Sequence, residues 1–156
     1  MEDKEELKYK FCKAMIPVAQ SIGYDPTLKE IKKFEISVSH LQIIATVMKN
    51  NIEDKDICLP FIALQKFYAG KTNYQIAETW GKNFFNICQK RFGEEHPDVA
   101  QSMNNLAKLY HSQGKYEVAK PLYEQAIKIF ETVLGNSHPW TITVRNNYQI
   151  MLIKMS

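Results

Sequence analysis

A short pattern of residues occurs twice in this chain, 42 residues apart. One copy reads GEEHPDVAQSMNNLAKLY from Gly93, and the other reads GNSHPWTITVRNNYQIML from Gly135. The residues of a catalytic site usually occur once in a sequence, whereas the motif of a structural unit that stacks on copies of itself recurs. The recurrence therefore predicts a repeat architecture with its function on the surface. The matched pairs are Gly93/Gly135, His96/His138, Pro97/Pro139, Asn104/Asn146 and Asn105/Asn147.

The composition is that of a folded domain and does not indicate a highly charged partner. Of the 156 residues, 45% are apolar and 24% are charged, which is ordinary for a globular domain. The net charge of +3 is small and the basic residues are interspersed with acidic ones, so neither nucleic acid nor an anionic membrane is indicated. The opening MEDKEELKYK lacks the apolar core of a secretory signal, and no stretch is apolar enough to span a bilayer. We therefore predict a cytoplasmic protein with no nucleic-acid or membrane partner.

Side chains that could carry chemistry are few and scattered. Cys12, Cys58 and Cys88 are odd in number and far apart, so they form neither a disulfide framework nor a Cys-x-x-Cys metal site. Cys12 lies on an apolar helical stripe, where a buried thiol is the favoured interpretation. No His-x-x-x-His or Glu-x-x-His pattern, nucleophile elbow or glycine-rich phosphate loop is present. The sequence predicts no catalytic residue, no metal and no cofactor, and hence a protein that is not an enzyme.

Apolar residues recur at helical spacing along most of the chain, and strand-type alternation does not persist. The pattern predicts an all-α fold of about seven or eight helices. Pro17 lies inside the first helix, which it can kink. GYDP indicates a turn, after which Thr27 is expected to cap a short helix running to about Phe34, with a further helix starting near Ser37 or Ser39. The apolar stripe of the first helix comprises Leu7, Phe11, Met15, Val18 and Ile22.

The repeated Gly-x-x-His-Pro element is typical of a helix stop followed by a helix start. Pro97 and Pro139 are expected at the first helical position, where the missing N–H of proline has no consequence. Gly93 and Gly135 come just after the preceding helix, where a left-handed residue is favoured. The histidine before each proline is interpreted as a turn or cap residue rather than a ligand.

The segment from 93 to 139 resembles a tetratricopeptide repeat. Helix B runs about two turns beyond the usual 34-residue unit, and this long form resembles the kinesin-light-chain type. The predicted division is an N-terminal helical segment (1–53), a degenerate repeat (54–96), a well-formed repeat (97–138) and a closing helix (139–156). FCKAMIPVAQSI and PFIALQKFYAG resemble the segment that precedes such repeats in bacterial, particularly cyanobacterial, signalling proteins. The residues that match the repeat pattern are Leu106, Ala107, Tyr110, Gly114, Tyr116, Ala119, Tyr123 and Ala126.

The resemblance implies antiparallel helix pairs stacked as a right-handed superhelix, whose A helices line a concave groove for a protein or peptide partner. Asparagine suits such a groove because its amide both donates and accepts hydrogen bonds, so it can hold an extended peptide backbone. Lys66, Lys108 and Lys154 would add affinity for acidic side chains or a C-terminal carboxylate. The groove residues expected from the motif are Gln101, Asn104, Asn105, Lys108, His111, Asn146, Asn147 and Lys66.

Other interpretations stay open at this point. Each asparagine could be merely solvated or could bond a neighbouring A helix. Gln149 stands where the earlier repeat has Ala107, so the last helix is also interpretable as a solvating cap. Its apolar residues could instead pair with a second copy, which would make the chain an oligomerising module and a homodimer. A third alternative is a ligand-sensing regulatory fragment of a larger signalling protein.

Overall fold

The computed structural model describes residues 3–23 and 26–156. Within these residues it contains seven α-helices, two short 3-10 turns and no strand, which confirms the all-α prediction. The predicted GYDP turn includes Tyr24 and Asp25, which lie outside the described residues. The helices are α1 (Lys4–Gln20), α2 (Leu28–Thr46), α3 (Leu59–Gly70), α4 (Tyr74–Phe92), α5 (Pro97–Ser112), α6 (Tyr116–Leu134) and α7 (Pro139–Met155).

The chain divides into two compact units, Met1–Trp80 and Gly81–Ser156, and the division falls within α4. In the first unit, α2 packs mainly against α3, and α1 packs against both. The rings of Phe34 and Phe67 meet with centroids 5.8 Å apart between α2 and α3. The predicted repeat boundaries, including the division after residue 53, stay a prediction.

The first helix runs continuously through Pro17, but its buried line differs from the predicted stripe. Cys12 and Ala19 are the buried residues of α1, whereas Leu7 is 50% exposed. Of the predicted stripe, Ile22 is buried just beyond the helix, and Phe11, Met15 and Val18 are half-buried. Because α1 packs against two helices, small side chains occupy the closest contact and the larger apolar residues flank it. The expectation of a buried Cys12 thiol is confirmed, and burial raises the pKa of this thiol.

The second helix confirms one prediction and corrects another. Thr27 is its N-cap, and a reciprocal capping box joins the Thr27 hydroxyl to the Glu30 N–H and the Glu30 carboxylate to the Thr27 N–H. The predicted break between Phe34 and Ser37 is wrong, because α2 continues without interruption to Thr46. This stretch contains no glycine or proline, and its apolar positions keep one helical stripe throughout. The buried residues of that stripe are Ile31, Phe34, Val38, Leu41, Ile44 and Ala45.

The turn chemistry of the repeated element is confirmed in the second unit. Pro97 and Pro139 are the first residues of α5 and α7, and the histidine before each is the N-cap. His96 Nδ1 accepts a hydrogen bond from the Asp98 N–H at 3.2 Å, and His138 Nδ1 does the same for the Trp140 N–H at 3.1 Å. These side-chain bonds satisfy backbone donors that a helix start would otherwise leave unpaired.

The two glycines of the element have a backbone conformation that other residues rarely adopt. Gly93 and Gly135 have φ angles of 87° and 86°, so the expected positive φ is confirmed. At Gly135 the ψ angle of 167° corrects one detail, because the residue is extended rather than left-handed helical. Only glycine populates that region readily, which explains its use at this helix end.

The core of the second unit is built on helix pairs. The most extensive packing is between α5 and α6, and α7 packs mainly on α6. Ala107, Ala119 and Ala126 are fully buried, as expected for small residues that let two helices approach closely. Tyr123 and Phe130 fill the space beside them.

Replacement of Tyr123 by phenylalanine is expected to leave the free energy of unfolding unchanged or to raise it by about 1 kcal/mol. The Tyr123 hydroxyl is buried without a hydrogen-bond partner among the described residues, and its burial raises the pKa of the phenol. Urea denaturation followed by circular dichroism measures the change. Tyr148→Phe is the matched control, because the Tyr148 hydroxyl donates to Glu124 at 2.7 Å. The control should lower the free energy of unfolding by about 0.5–1.5 kcal/mol, and a loss as large as this in Tyr123→Phe would contradict the prediction.

Candidate functional site

Five of the residues predicted to line a groove lie on one face of α5. Their spacing of three and four residues places them side by side along the helix. Asn104 and Asn105 are buried, with 3% and 8% of their surface exposed, and the other three are half-buried. This face is therefore more enclosed than a merely solvated helix surface. It consists of Gln101, Asn104, Asn105, Lys108 and His111.

The asparagine pair of the repeat joins α5 to α7. The Asn147 Nδ2 donates to the Asn104 Oδ1 at 3.1 Å, across 43 residues of sequence. Bonding to a neighbouring A helix was one of the alternatives that the sequence left open, and it applies to this pair. Each amide has two donors and a two-lone-pair acceptor, so one bond does not exhaust either side chain. The bond therefore links the two A helices directly.

Asn105 is held within its own helix. The Gln101 Nε2 donates to the Asn105 Oδ1 at 3.1 Å, one turn away along α5. Such a pair at positions i and i+4 orients both amides along the helix face. Asn146, by contrast, is exposed on α7 beside Asn147. The two asparagines of the second copy thus have different environments.

Positive charge gathers at the C-terminal end of this α5 face. Desolvation by burial lowers the pKa of Lys108 to about 8. The pKa of His111 is lowered as well, first by burial and then by the charges of Lys154 and Lys108. The His111 Nε2 is buried without a hydrogen-bond partner among the described residues, and the ring lies 5.7 Å from that of Tyr116. His111 is therefore neutral near pH 7, and the charges of Lys108 and Lys154 that act on it favour an anion.

The eighth predicted residue, Lys66, lies on α3 in the first unit. Its Nζ donates to the carbonyl oxygen of Ile22 at 3.5 Å, and burial lowers its pKa. Seven of the eight predicted residues thus belong to α5 and α7 of the second unit. Their role in binding stays a prediction.

The sequence reasoning missed a second concave feature of the second unit. A cavity of about 360 Å³ lies between the C-terminal parts of α4 and α6, over the start of α5. The signal that could have pointed to it is the extra length of helix B in the two successive repeats, because α4 and α6 form its walls. Its lining includes Phe85, Gln89, Glu94, Glu95, Val99, Met103, Lys128, Ile129 and Thr132.

Two kinds of site are not found in the part of the chain that the structure describes. Its histidine, cysteine and carboxylate side chains form no group of three or more that could hold a metal ion. None of its helices has both the length and the apolar character needed to cross a bilayer.

The stacked antiparallel helix pairs, with small residues where they meet, define a helical-repeat protein. Residues 66–132 match the family model of the tetratricopeptide repeat. The chain therefore contains a tetratricopeptide-repeat segment, as the sequence pattern predicted. Tetratricopeptide repeats generally mediate protein–protein interactions, and proteins of this fold are typically non-enzymatic.

The curated relatives that this chain matches are far longer than the chain, which spans about a tenth of their length. The clustered mitochondria protein homolog of Emericella nidulans is 22% identical over 113 residues, and that of Aspergillus niger is 21% identical over the same length. Each match covers 72% of this chain and 9% of the relative. The crystal structure of BtubC (BKLC) from P. vanneervenii superposes with a TM-score of 0.60 at 16% identity, covering 99% of this chain and 68% of that one. The kinesin-light-chain subtype and a bacterial source stay predictions.

Proposed function

We propose that this chain is a non-enzymatic binding module that holds a segment of a partner protein against α5 and α7 of the second unit. One observation carries the proposal: a half-buried lysine, Lys108, shares an enclosed A-helix face with amide side chains. Lys108 is charged near pH 7 although burial lowers its pKa, and Lys154 acts on the same histidine. A cation that is already partly desolvated interacts strongly with an incoming anion.

The chemistry of this face favours an acidic segment in the partner. A carboxylate placed near Lys108 would gain a charge-assisted hydrogen bond in a site with little water. The asparagine amides of α7, exposed at Asn146 and half-buried at Asn147, would accept hydrogen bonds from the peptide backbone and donate to it, whatever the peptide sequence, and the buried Asn104 would hold Asn147 in place. The expected dissociation constant is micromolar, which corresponds to a binding free energy of about −8 kcal/mol. It is no tighter because a single short segment loses conformational freedom on binding.

The first experiment is selection from a random-peptide display library, followed by fluorescence anisotropy with the enriched peptides. We expect acidic sequences, and we expect Lys108→Met to weaken their binding about tenfold or more through the loss of a charged hydrogen bond. Lys120→Met is the matched control, because Lys120 is exposed on α6, and it should change the affinity less than twofold. Absence of enrichment, or equal binding by both variants, would overturn the proposal.

The affinity for an acidic peptide should fall as the pH rises from 7 to 9. The pKa of Lys108 is about 8 in the free protein, so the lysine is mostly charged at pH 7 and mostly neutral at pH 9. Binding at the higher pH then requires uptake of a proton, and the dissociation constant should rise up to about tenfold. Anisotropy titrations at the two pH values measure this change. A dissociation constant that stays level in the parent would contradict it, and Lys108→Met should show a smaller dependence.

Self-association through α7 is the second candidate function, and one observation favours it. Large apolar residues of α7 are exposed, up to 73% for Ile153. Exposed apolar side chains of this kind can pair with a second copy. Sedimentation of the parent and of Ile150→Ser/Ile153→Ser at increasing concentration separates the two candidates. If the parent is a dimer and the doubly substituted variant is a monomer, self-association through α7 is favoured. The exposed apolar residues are Trp140, Ile142, Ile150, Ile153 and Met155.

A further inference from the structure

The cleft between α4 and α6 lies apart from the α5–α7 face and shares no residue with it. Val99 and Met103, which are buried on α5, line the cavity together with residues of the two B helices. Ile129 on α6 and Phe85 on α4 add further apolar surface and are half-buried. A volume of about 360 Å³ is within the range of about 300–1,000 Å³ that is typical of binding pockets.

The cleft exists because α4 and α6, the B helices of two successive repeats, are long. Both α4 and α6 have 19 residues, and the lining residues of α6 begin at Gln125. In the last turns of α6, Thr132 and Val133 extend the wall past the end of the closest helix packing. Val133 is 45% exposed, so apolar surface continues to the rim.

The rim carries more negative than positive charge. Glu94 and Glu95 are exposed in the loop before α5, and Lys128 is the cation of the lining. Glu94 accepts a hydrogen bond from Gln89 at 3.4 Å. An occupant with an apolar group and a cation beside it therefore complements this cleft.

We propose that the α4–α6 cleft is a second docking site, which takes a segment of a partner protein that presents one bulky apolar side chain flanked by arginine or lysine. The apolar side chain lies over Val99, Met103 and Ile129, and the basic residue lies against Glu94 and Glu95. Anchoring by one buried side chain within a polar rim is the arrangement that concentrates binding energy in protein interfaces. The site is independent of the acidic segment proposed for the α5–α7 face, because the charge requirement is opposite.

The test uses the full chain with carbon-13 methionine methyl groups and two synthetic peptides. One peptide has a leucine–phenylalanine core flanked by arginines, and the other has the same core flanked by glutamates. We expect the basic peptide to shift the Met103 methyl resonance in a saturable titration and to leave that of Met15, in the first unit, unchanged. The acidic peptide should shift the Met103 resonance at least fivefold more weakly.

Variants at the rim and on the wall decide the proposal. Glu95→Lys should lower the affinity for the basic peptide about fivefold or more. Glu117→Lys makes the same charge change at an exposed position of α6 and should change this affinity less than twofold. Thr132→Trp places an indole in the cleft from an exposed position and should abolish the shift. The proposal is overturned if Met103 does not respond, if both peptides shift it equally, or if Glu95→Lys and Thr132→Trp each bind like the parent. Lys108→Met should leave this titration unchanged, so failure here is separable from failure at the α5–α7 face.

Discussion

Replacement of Phe130 by alanine is expected to lower the free energy of unfolding by about 3–5 kcal/mol. Phe130 is 1% exposed on α6, and its ring meets that of Trp140 on α7 with centroids 6.0 Å apart. Truncation removes apolar contact and leaves a cavity that α6 and α7 can close only in part. Since small domains are stable by only about 5–15 kcal/mol, this loss is a large fraction of the total.

Guanidinium denaturation followed by far-ultraviolet circular dichroism measures the Phe130→Ala effect. Val133→Ala is the matched control, because Val133 lies on the same helix and is largely exposed. The control should change the free energy of unfolding by less than about 0.5 kcal/mol. If the two variants were equally stable, Phe130 would not be a core residue and the packing of α6 described above would be wrong.

Ala107→Leu is expected to lower the free energy of unfolding by about 1–3 kcal/mol or more. Ala107 is fully buried on α5, the helix that packs most extensively on α6. Leucine adds three heavy atoms where the two helices are in close contact, so either the side chain leaves its preferred rotamer or the helices separate.

The internal repeat supplies the control for this prediction. Gln149 occupies the position of Ala107 in the next copy, 42 residues later, and it is exposed on α7. Gln149→Leu should change the free energy of unfolding by less than about 0.5 kcal/mol. Thermal melts of the two variants beside the parent make the comparison. Equal destabilisation at both positions would show that the cost arises from the helix itself rather than from packing.

Predictions that rest on local chemistry are confirmed at the helix ends. His96 and Pro97 start α5, Thr27 caps α2, and Gly93 has a positive φ. Each depends on residues within about four positions of one another, through a side-chain bond to a nearby N–H or a restricted backbone angle. Such interactions can be predicted from the sequence without knowledge of the fold.

Predictions that depend on distant partners are less complete. The residues on the α5 face were predicted from the resemblance to the repeat motif, and their role stays a prediction. The bond between Asn104 and Asn147 spans 43 positions and could be predicted only as one alternative. The break expected near Ser37 does not occur, because packing along α2 overrides the local preference of serine for helix starts.

The amino-acid pattern was sufficient for the class of the fold, the repeat and the places where its helices start and stop, because periodicity and capping act over one or two turns. It was not sufficient to predict which residues of α1 are buried, how far Lys108 is buried, or the cleft between α4 and α6. These depend on which surfaces of separate helices meet, and desolvation and cavity shape are properties of that meeting rather than of any one segment.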